Sequence, residues 1–317
     1  MPKILILRFS SIGDIVLTTP VIRCLKTQLP NAEIHFATKK NFKVLVENNP
    51  YIDKFHLLDT SDNQLIADLK KEKFDYVIDL HHNIRTLKIK LSLGVKSFSF
   101  DKLNIQKWLL VNLKINQMPK VHIVDRYMKT VEPLGVINDQ KGLDYFIPAK
   151  DEVDLNLLPI QFQNGFIAYA IGGQHFTKKM PTERIIEICK NQTKPVILLG
   201  GKEDFEAGEQ IKNAIGNTIL NACGAYNLNQ SASILGLSDL VITHDTGLMH
   251  IAAALKKRVI SIWGNTVPEF GMYPYLIDYQ IVENKDLSCR PCSKIGYKKC
   301  PKGHFKCMKE IDLQELR

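Results

Sequence analysis

The sequence predicts an α/β protein made of two Rossmann-like domains with mostly parallel sheets, and three observations predict it. Short β-rich apolar runs alternate with helical spacing along most of the 317 residues, the pattern of βαβ units. These runs form two series separated by a polar stretch of little periodicity. The length favours two domains at roughly 150 residues each. Hydrophobic residues make up 45% and charged residues 24%, which is ordinary for a globular chain and excludes a long disordered or fibrous one.

The first series opens with Lys3 to Phe9, a buried strand, followed by a helix-compatible segment from Asp14 to about Leu29. The strand signature returns at Glu33 to Thr38, Tyr76 to Leu80 and Val95 to Phe100. The second series runs through Phe166 to Ala170, Pro195 to Leu199, Asp239 to Thr243 and Arg258 to Ile262, with helical spacing at Glu183 to Cys189 and Gln230 to Leu237. Between the series, Asp139 to Asn164 is rich in Asp, Asn, Gln, Lys and Pro. The linker is placed there, dividing the chain into 1–150 and 151–317. Two open α/β domains facing a central cleft would hold a ligand outside the carboxyl ends of their strands.

Lys and Arg exceed Asp and Glu, 42 to 33, for a net charge of +9. That surplus suits an anionic partner without choosing among phosphate, nucleic acid and acidic lipid. Aromatic and basic residues are not interleaved in a stacking pattern, so nucleic acid is not expected as a partner. No run approaches the roughly 18–20 apolar residues of a membrane span, and the N-terminal run is too short for a signal peptide. The chain reads as cytoplasmic, with peripheral membrane contact open.

Four segments carry chemistry-bearing residues. Ser10-Ser11-Ile12-Gly13-Asp14 follows the first strand, and Gly13 permits a tight turn or close ligand approach. Asp14, at a helix start, is either a cap for orphan N–H groups or a general base. The GxGxxG dinucleotide fingerprint is absent there. His244-Asp245-Thr246-Gly247-Leu248-Met249-His250 lies between a strand and an alanine-rich helix, where free N–H groups suit a diphosphate. His250 sits one turn into that helix on the face of Thr246 and Gly247.

Gly172 to Pro181, with Lys178 and Lys179, suits a phosphate clamp as well as a solvated lysine pair. Gly200-Gly201-Lys202-Glu203-Asp204 offers acids for a ribose hydroxyl or an ordinary turn. His81 and His82 follow the strand at Tyr76 to Leu80. Of seven cysteines, Cys24, Cys189 and Cys223 read as core thiols. Cys289, Cys292, Cys300 and Cys307 cluster near the C-terminus with His304 close by; they suit structural zinc, a local disulfide or free thiols.

Arg8 through Pro20 resembles the N-terminal motif of glycosyltransferase family 9, the lipopolysaccharide heptosyltransferases. Asp245-Thr246-Gly247-x2-His250-x-Ala252-Ala253-Ala254-Leu255 resembles that family's second signature. Lys178-Lys179-Met180-Pro181 is similar to its Lys-Arg-Trp-Pro segment, with Met180 where an aromatic is common. Asp79-Leu80-His81 through Arg85-Thr86 resembles its Asp-Leu-Gln stretch, and Cys300-Pro301 through Cys307-Met308 is similar to the tail of heptosyltransferase II-type members.

The resemblance implies a GT-B fold and inverting, metal-independent transfer of heptose from ADP-heptose to the lipid A–Kdo inner core. Asp14 would be the general base, with Ser11, Gly13, His81 and Arg85 on the acceptor side. Lys178, Asp245, Thr246, Gly247 and His250 would serve the donor, with Glu203 or Asp204 at the ribose. No cofactor would be required. The acceptor would be an anionic glycolipid at the inner face of the cytoplasmic membrane. The residues themselves leave other readings standing: another nucleotide-sugar transferase, an epimerase, a zinc-bearing binding module, or a nucleotide sensor without catalysis.

Overall fold

A computed structural model describes residues 1–59 and 61–316. The chain divides into two compact units, one of Met1–Lys102 and Val121–Phe146, the other of Leu103–Lys120 and Ile147–Arg317. The division falls after Phe146, four residues before the boundary expected from composition, and Leu103–Lys120 belongs with the second unit although it lies deep inside the first in sequence.

The first unit carries five strands, β1 (Lys3–Leu7), β2 (Glu33–Lys39), β3 (Lys54–Leu58), β4 (Tyr76–Asp79) and β5 (Lys96–Ser99). They form one parallel sheet in the order β3-β2-β1-β4-β5. Ile4 to Leu7 of β1 are wholly buried, as a central strand covered on both faces requires. The crossover helices are α1 (Ile12–Val16), α2 (Thr19–Gln28), α3 (Asp62–Lys71) and α4 (Ile84–Leu93).

The single helix expected from Asp14 to Leu29 is two helices. Pro20 stands in the first turn of α2, and the Thr18 and Thr19 hydroxyls donate to the carbonyls of Ile15 (2.6 Å) and Val16 (2.8 Å). A proline without a donor and two back-bonding threonines end one helix and start the next. Helix α4 begins in an Asn83–Thr86 capping box and stops at Gly94, whose φ of 65° only glycine adopts readily.

In the second unit α5 (Asn104–Trp108) precedes α6 (Ile123–Met128) of the first in the chain. Its sheet holds β6 (Ile167–Ala170), β7 (Val196–Leu199), β8 (Ile219–Asn221), β9 (Leu240–His244), β10 (Val259–Trp263) and β11 (Tyr279–Glu283), all parallel, in the order β11-β10-β9-β6-β7-β8. The helices are α7 (Thr182–Lys190), α8 (Phe205–Ile215), α9 (Leu228–Leu237), α10 (Gly247–Ala254) and α11 (Lys306–Lys309). Cys307 and Met308 of α11 close the core under Tyr169, Met180 and Ile188. Among the described residues no helix is long and apolar enough to cross a membrane.

In each sheet the chain reverses its direction of travel once. In the first unit it moves outward through β2 and β3 and returns to the far side of β1 as β4. In the second it moves from β6 through β7 and β8 and returns as β9. Such reversals leave a crevice at the carboxyl ends of the two central strands. The loops after β1 and β4, and those after β6 and β9, are therefore where ligand chemistry is expected.

Candidate active site

In the first unit the loop after β1 is organised around Arg8. Its side chain is buried, and its guanidinium donates from Nε to the Ser10 carbonyl (2.8 Å) and from Nη1 to the Tyr127 hydroxyl (3.0 Å) and the Leu80 carbonyl. Nη2 meets Asp14 Oδ1 at 2.7 Å. The loops after β1 and β4 are thus joined at the switch point by one arginine. On its other oxygen Asp14 accepts from the Ser11 hydroxyl (2.8 Å) and the Ser11 N–H (3.2 Å).

Asp14 is not the cap of α1 but its third residue. Ser11 is the cap, and the two close a capping box. The capping box is what this geometry shows, with Asp14 as its acid rather than its cap. The box and Arg8 fix the rotamer, while 22% of the side chain stays accessible to solvent. A carboxylate held in this way in the first turn of a helix can take a proton from an incoming hydroxyl.

Gly13 is buried and Ser11 exposed beside it. The Phe9 ring is flanked by His81, edge-on at 5.8 Å, and by the Arg85 guanidinium at 5.6 Å. Burial, with the Arg8 charge adding to it, lowers the His81 pKa to about 4, so its imidazole is neutral at pH 7. Arg85 pairs with Asp62 at 2.7 Å and lines an open cavity of about 510 Å³ with Lys39, Lys40 and Asp59, outside the carboxyl ends of β2 and β3. Ser11, Gly13, Asp14, His81 and Arg85 are thus brought to one end of one sheet.

In the second unit two adjacent lysines tie the loop after β6 to both neighbouring loops. Lys178 Nζ donates to Asp245 Oδ2 (2.6 Å) and to the Asp245 carbonyl (3.0 Å) in the loop after β9. Lys179 Nζ meets Asp204 Oδ1 at 3.0 Å in the loop after β7. Asp245 is buried and also accepts from the Thr266 hydroxyl at 2.7 Å. The loop after β6 passes so close to its neighbours that a Cβ on Gly172 would lie 2.6 Å from Asp204 Oδ2 and 3.1 Å from Gly200 Cα, which is why glycine stands there.

Thr246 is the N-cap residue of α10, but its side chain makes no cap bond. It faces the Thr243 hydroxyl at 3.5 Å instead. The first-turn N–H groups of a helix have no intrahelical partner, so Gly247 and the residues after it present donors beside Lys178. This is the arrangement that receives a phosphate group. His250 is 2% exposed and so lies inside the unit. His244 is fully buried, accepts the Met180 N–H at Nε2 (3.2 Å), and has its pKa lowered to about 3 by burial.

Of the two acids after β7, Glu203 is exposed, whereas Asp204 is internal and accepts the Gly201 N–H at 2.9 Å. Its carboxylate braces the loop, which leaves Glu203 as the acid accessible to a ligand. Sequence reasoning did not single out Thr266, and it met Arg8 only as the first residue of a motif and Lys179 only as one of a lysine pair. Their roles come from their contacts, Arg8 with Asp14 and Leu80, Lys179 with Asp204 and Thr266 with Asp245.

All seven cysteines are free thiols, which sets aside the local disulfide. Cys289 Sγ lies 3.9 Å from His304 Nε2, and burial raises the Cys307 thiol to about 12. Among the described residues no three of Cys289, Cys292, Cys300, Cys307 and His304 lie mutually within 4.8 Å, whereas a Zn–S distance of about 2.3 Å puts tetrahedral sulphurs about 3.8 Å apart. Among the described residues the group of three donors mutually within 4.8 Å is His35, His56 and Glu72 instead. There the Glu72 carboxylate is taken by Lys54 (2.5 Å) and Lys3 (3.3 Å), and His35 Nδ1 and His56 Nε2 bond each other at 2.9 Å, so the group is a buried polar network.

The profile of glycosyltransferase family 9 (heptosyltransferase) matches residues 63–302, three quarters of the chain. The chain belongs to glycosyltransferase family 9. This family 9 chain is 26% identical to the lipopolysaccharide heptosyltransferase 1 of Campylobacter coli over 83% of its own length and 84% of that protein. It is 24% identical to the lipooligosaccharide heptosyltransferase 2 of Haemophilus influenzae over 84% and 85%. Its fold is similar to that of the Escherichia coli ADP-heptose lipopolysaccharide heptosyltransferase II, with a TM-score of 0.69, 19% identity, and coverage of 99% and 100% of the two chains. The GT-B fold expected from the motifs is therefore the fold of this glycosyltransferase.

Proposed function

We propose that this glycosyltransferase moves a heptose from ADP-heptose to the lipopolysaccharide inner core with inversion at the anomeric carbon. The observation that carries the reading is the Lys178 ammonium, held 2.6 Å from Asp245 at the mouth of α10. Cation and free helix N–H groups together meet the charge of a leaving diphosphate. The names of the relatives support heptose and ADP as the donor's parts.

In the proposed step the acceptor hydroxyl gives its proton to Asp14 as its oxygen attacks the anomeric carbon. The bond from that carbon to the β-phosphate oxygen breaks, and its electron pair leaves on ADP. Lys178 and the N–H groups at Gly247 offset the charge that develops there. Arg8 and Ser11 hold Asp14 in place, and Arg85 and its cavity serve an anionic glycolipid acceptor. Glu203 is the ribose-side acid in this reading, and His250 supports α10 from within. The step as written draws on no cofactor or metal, and no nucleic acid enters it.

Zinc on Cys289, Cys292, Cys300 and Cys307 belongs to the reading only as a structural element of the tail. Metal content of protein purified without chelator tests it: one zinc per chain supports it, and none removes it. The acceptor chemistry supports a cytoplasmic protein at the inner face of the cytoplasmic membrane.

The direct test is ADP release from ADP-heptose with and without an inner-core acceptor. Release that depends on acceptor supports transfer. A changed sugar nucleotide formed without any acceptor would instead make the protein an epimerase.

A further inference from the structure

Residues 80–124 hold eight Lys or Arg against one acid, Asp101, a local balance of +7 out of the whole chain's +9. Of the eighteen large hydrophobic residues exposed among those described, seven fall between Ile84 and Ile115. Charge and exposed apolar surface are therefore concentrated in the same part of the chain, which ordinary surface scatter does not produce.

The feature is sharpest in Leu103–Lys120 of the second unit. Helix α5 continues there into a π-helical turn, Leu109–Leu113. One side is fixed: Leu110 is buried against Val267 and Phe270, and Lys114 Nζ donates to the carbonyls of Val111 (2.8 Å), Cys289 (3.2 Å) and Pro291 (2.7 Å). The other side presents Ile105, 73% exposed, Trp108, 51%, and Leu113, 52%. No acid stands between Asp101 and Asp125, while Lys102, Lys107 and Lys120 stand there besides Lys114.

We infer that this segment is an interfacial anchor, laying Ile105, Trp108 and Leu113 into an anionic lipid surface. The inference rests on the proposed action at a membrane and names the surface responsible. An indole with aliphatic neighbours suits the boundary between headgroups and acyl chains, and flanking lysines suit anionic headgroups. A protein partner or a second copy is less well matched, because the face has no acid to set its orientation by paired charges. Helix α4 of the first unit repeats the composition, with Ile84, Leu87 and Leu91 exposed next to Lys88.

The chain has two tryptophans, and Trp263 is 1% exposed, so a change in emission on adding lipid reports Trp108. The experiment adds vesicles of phosphatidylcholine, with or without one-third phosphatidylglycerol, to the full chain and follows co-sedimentation and tryptophan emission. The expected result is binding to anionic vesicles that weakens in high salt, with a blue shift that Trp108→Phe removes. A triple variant, Ile105→Ser, Trp108→Ser and Leu113→Ser, should lose at least tenfold in vesicle partition while keeping the parent's ADP affinity.

Wild-type binding without a blue shift, or equal binding by the triple variant, overturns this anchor and leaves peripheral association intact. A wild type that ignores anionic vesicles overturns both. Self-association in sedimentation that the triple variant abolishes would make the face a dimer interface and overturn the inference.

Discussion

Lys178 and Asp245, 67 residues apart, form a 2.6 Å ion pair that joins the loops after β6 and β9. The pair lies at the switch point of its sheet, beside the start of α10. Asp245 is held in turn by Thr266, so the lysine has a fixed perch from which it can meet a phosphate.

Lys178→Ala should therefore weaken ADP itself. A charge-assisted contact contributes about 1.5–3 kcal/mol, or roughly 10- to 150-fold in Kd. Calorimetry on wild type and variant checks this, and unchanged ADP affinity would remove Lys178 from the phosphate site.

Asp14→Ala should behave in the opposite way. A general base contributes roughly 10²–10⁴-fold to rate, so kcat should fall by that factor while ADP affinity stays within about twofold. Loss of ADP affinity comparable to the loss of rate would assign Asp14 to the donor instead.

Gly172→Ala tests how closely the β6 loop is packed. Its new Cβ would meet the Asp204 carboxylate at 2.6 Å and the Gly200 backbone at 3.1 Å. Overpacking of this kind costs about 1–3 kcal/mol, so the thermal midpoint should fall. A midpoint equal to wild type would mean that the loop yields freely and that Lys179–Asp204 does not brace it.

Buried histidines set the acid side of the stability profile. His56, His81 and His244 have pKa values of about 4, about 4 and about 3, lowered mainly by burial. Unfolded histidine titrates near 6.5, so below that pH the unfolded chain takes up protons that the folded one refuses. Stability is full above about pH 6.5 and falls as the pH drops toward 4, by up to about 1.4 kcal/mol per unit for each group. The paired acids Glu72 and Asp139, lowered to about 2, act only below about pH 4.5. Urea unfolding at pH 7.0 and 5.5 should show a loss of about 3–4 kcal/mol. A flat profile over that interval would contradict neutral burial of these three imidazoles.

The central strands were legible in the sequence because burial on both faces makes them continuous apolar runs. The strands not anticipated, β3, β8 and β11, all lie at sheet edges. There the covering is partial, and polar residues such as Lys54, Asn221 and Gln280 interrupt the run. Asp14, Lys178 and Asp245 were legible because each follows a strand beside small residues. Their partnerships were not, since Arg8–Leu80 and Lys178–Asp245 are made by the order of the strands rather than by spacing along the chain. Leu103–Lys120 was hidden for the same reason: Leu110 finds its partners at Val267 and Phe270, far along the sequence.

The measurement that bears most directly on the account is calorimetric titration of the purified protein with ADP, UDP, GDP and CMP at one salt concentration. ADP should bind selectively, and Lys178→Ala should weaken it. Preference for UDP or GDP, or no binding by any of the four, would contradict the ADP-heptose donor.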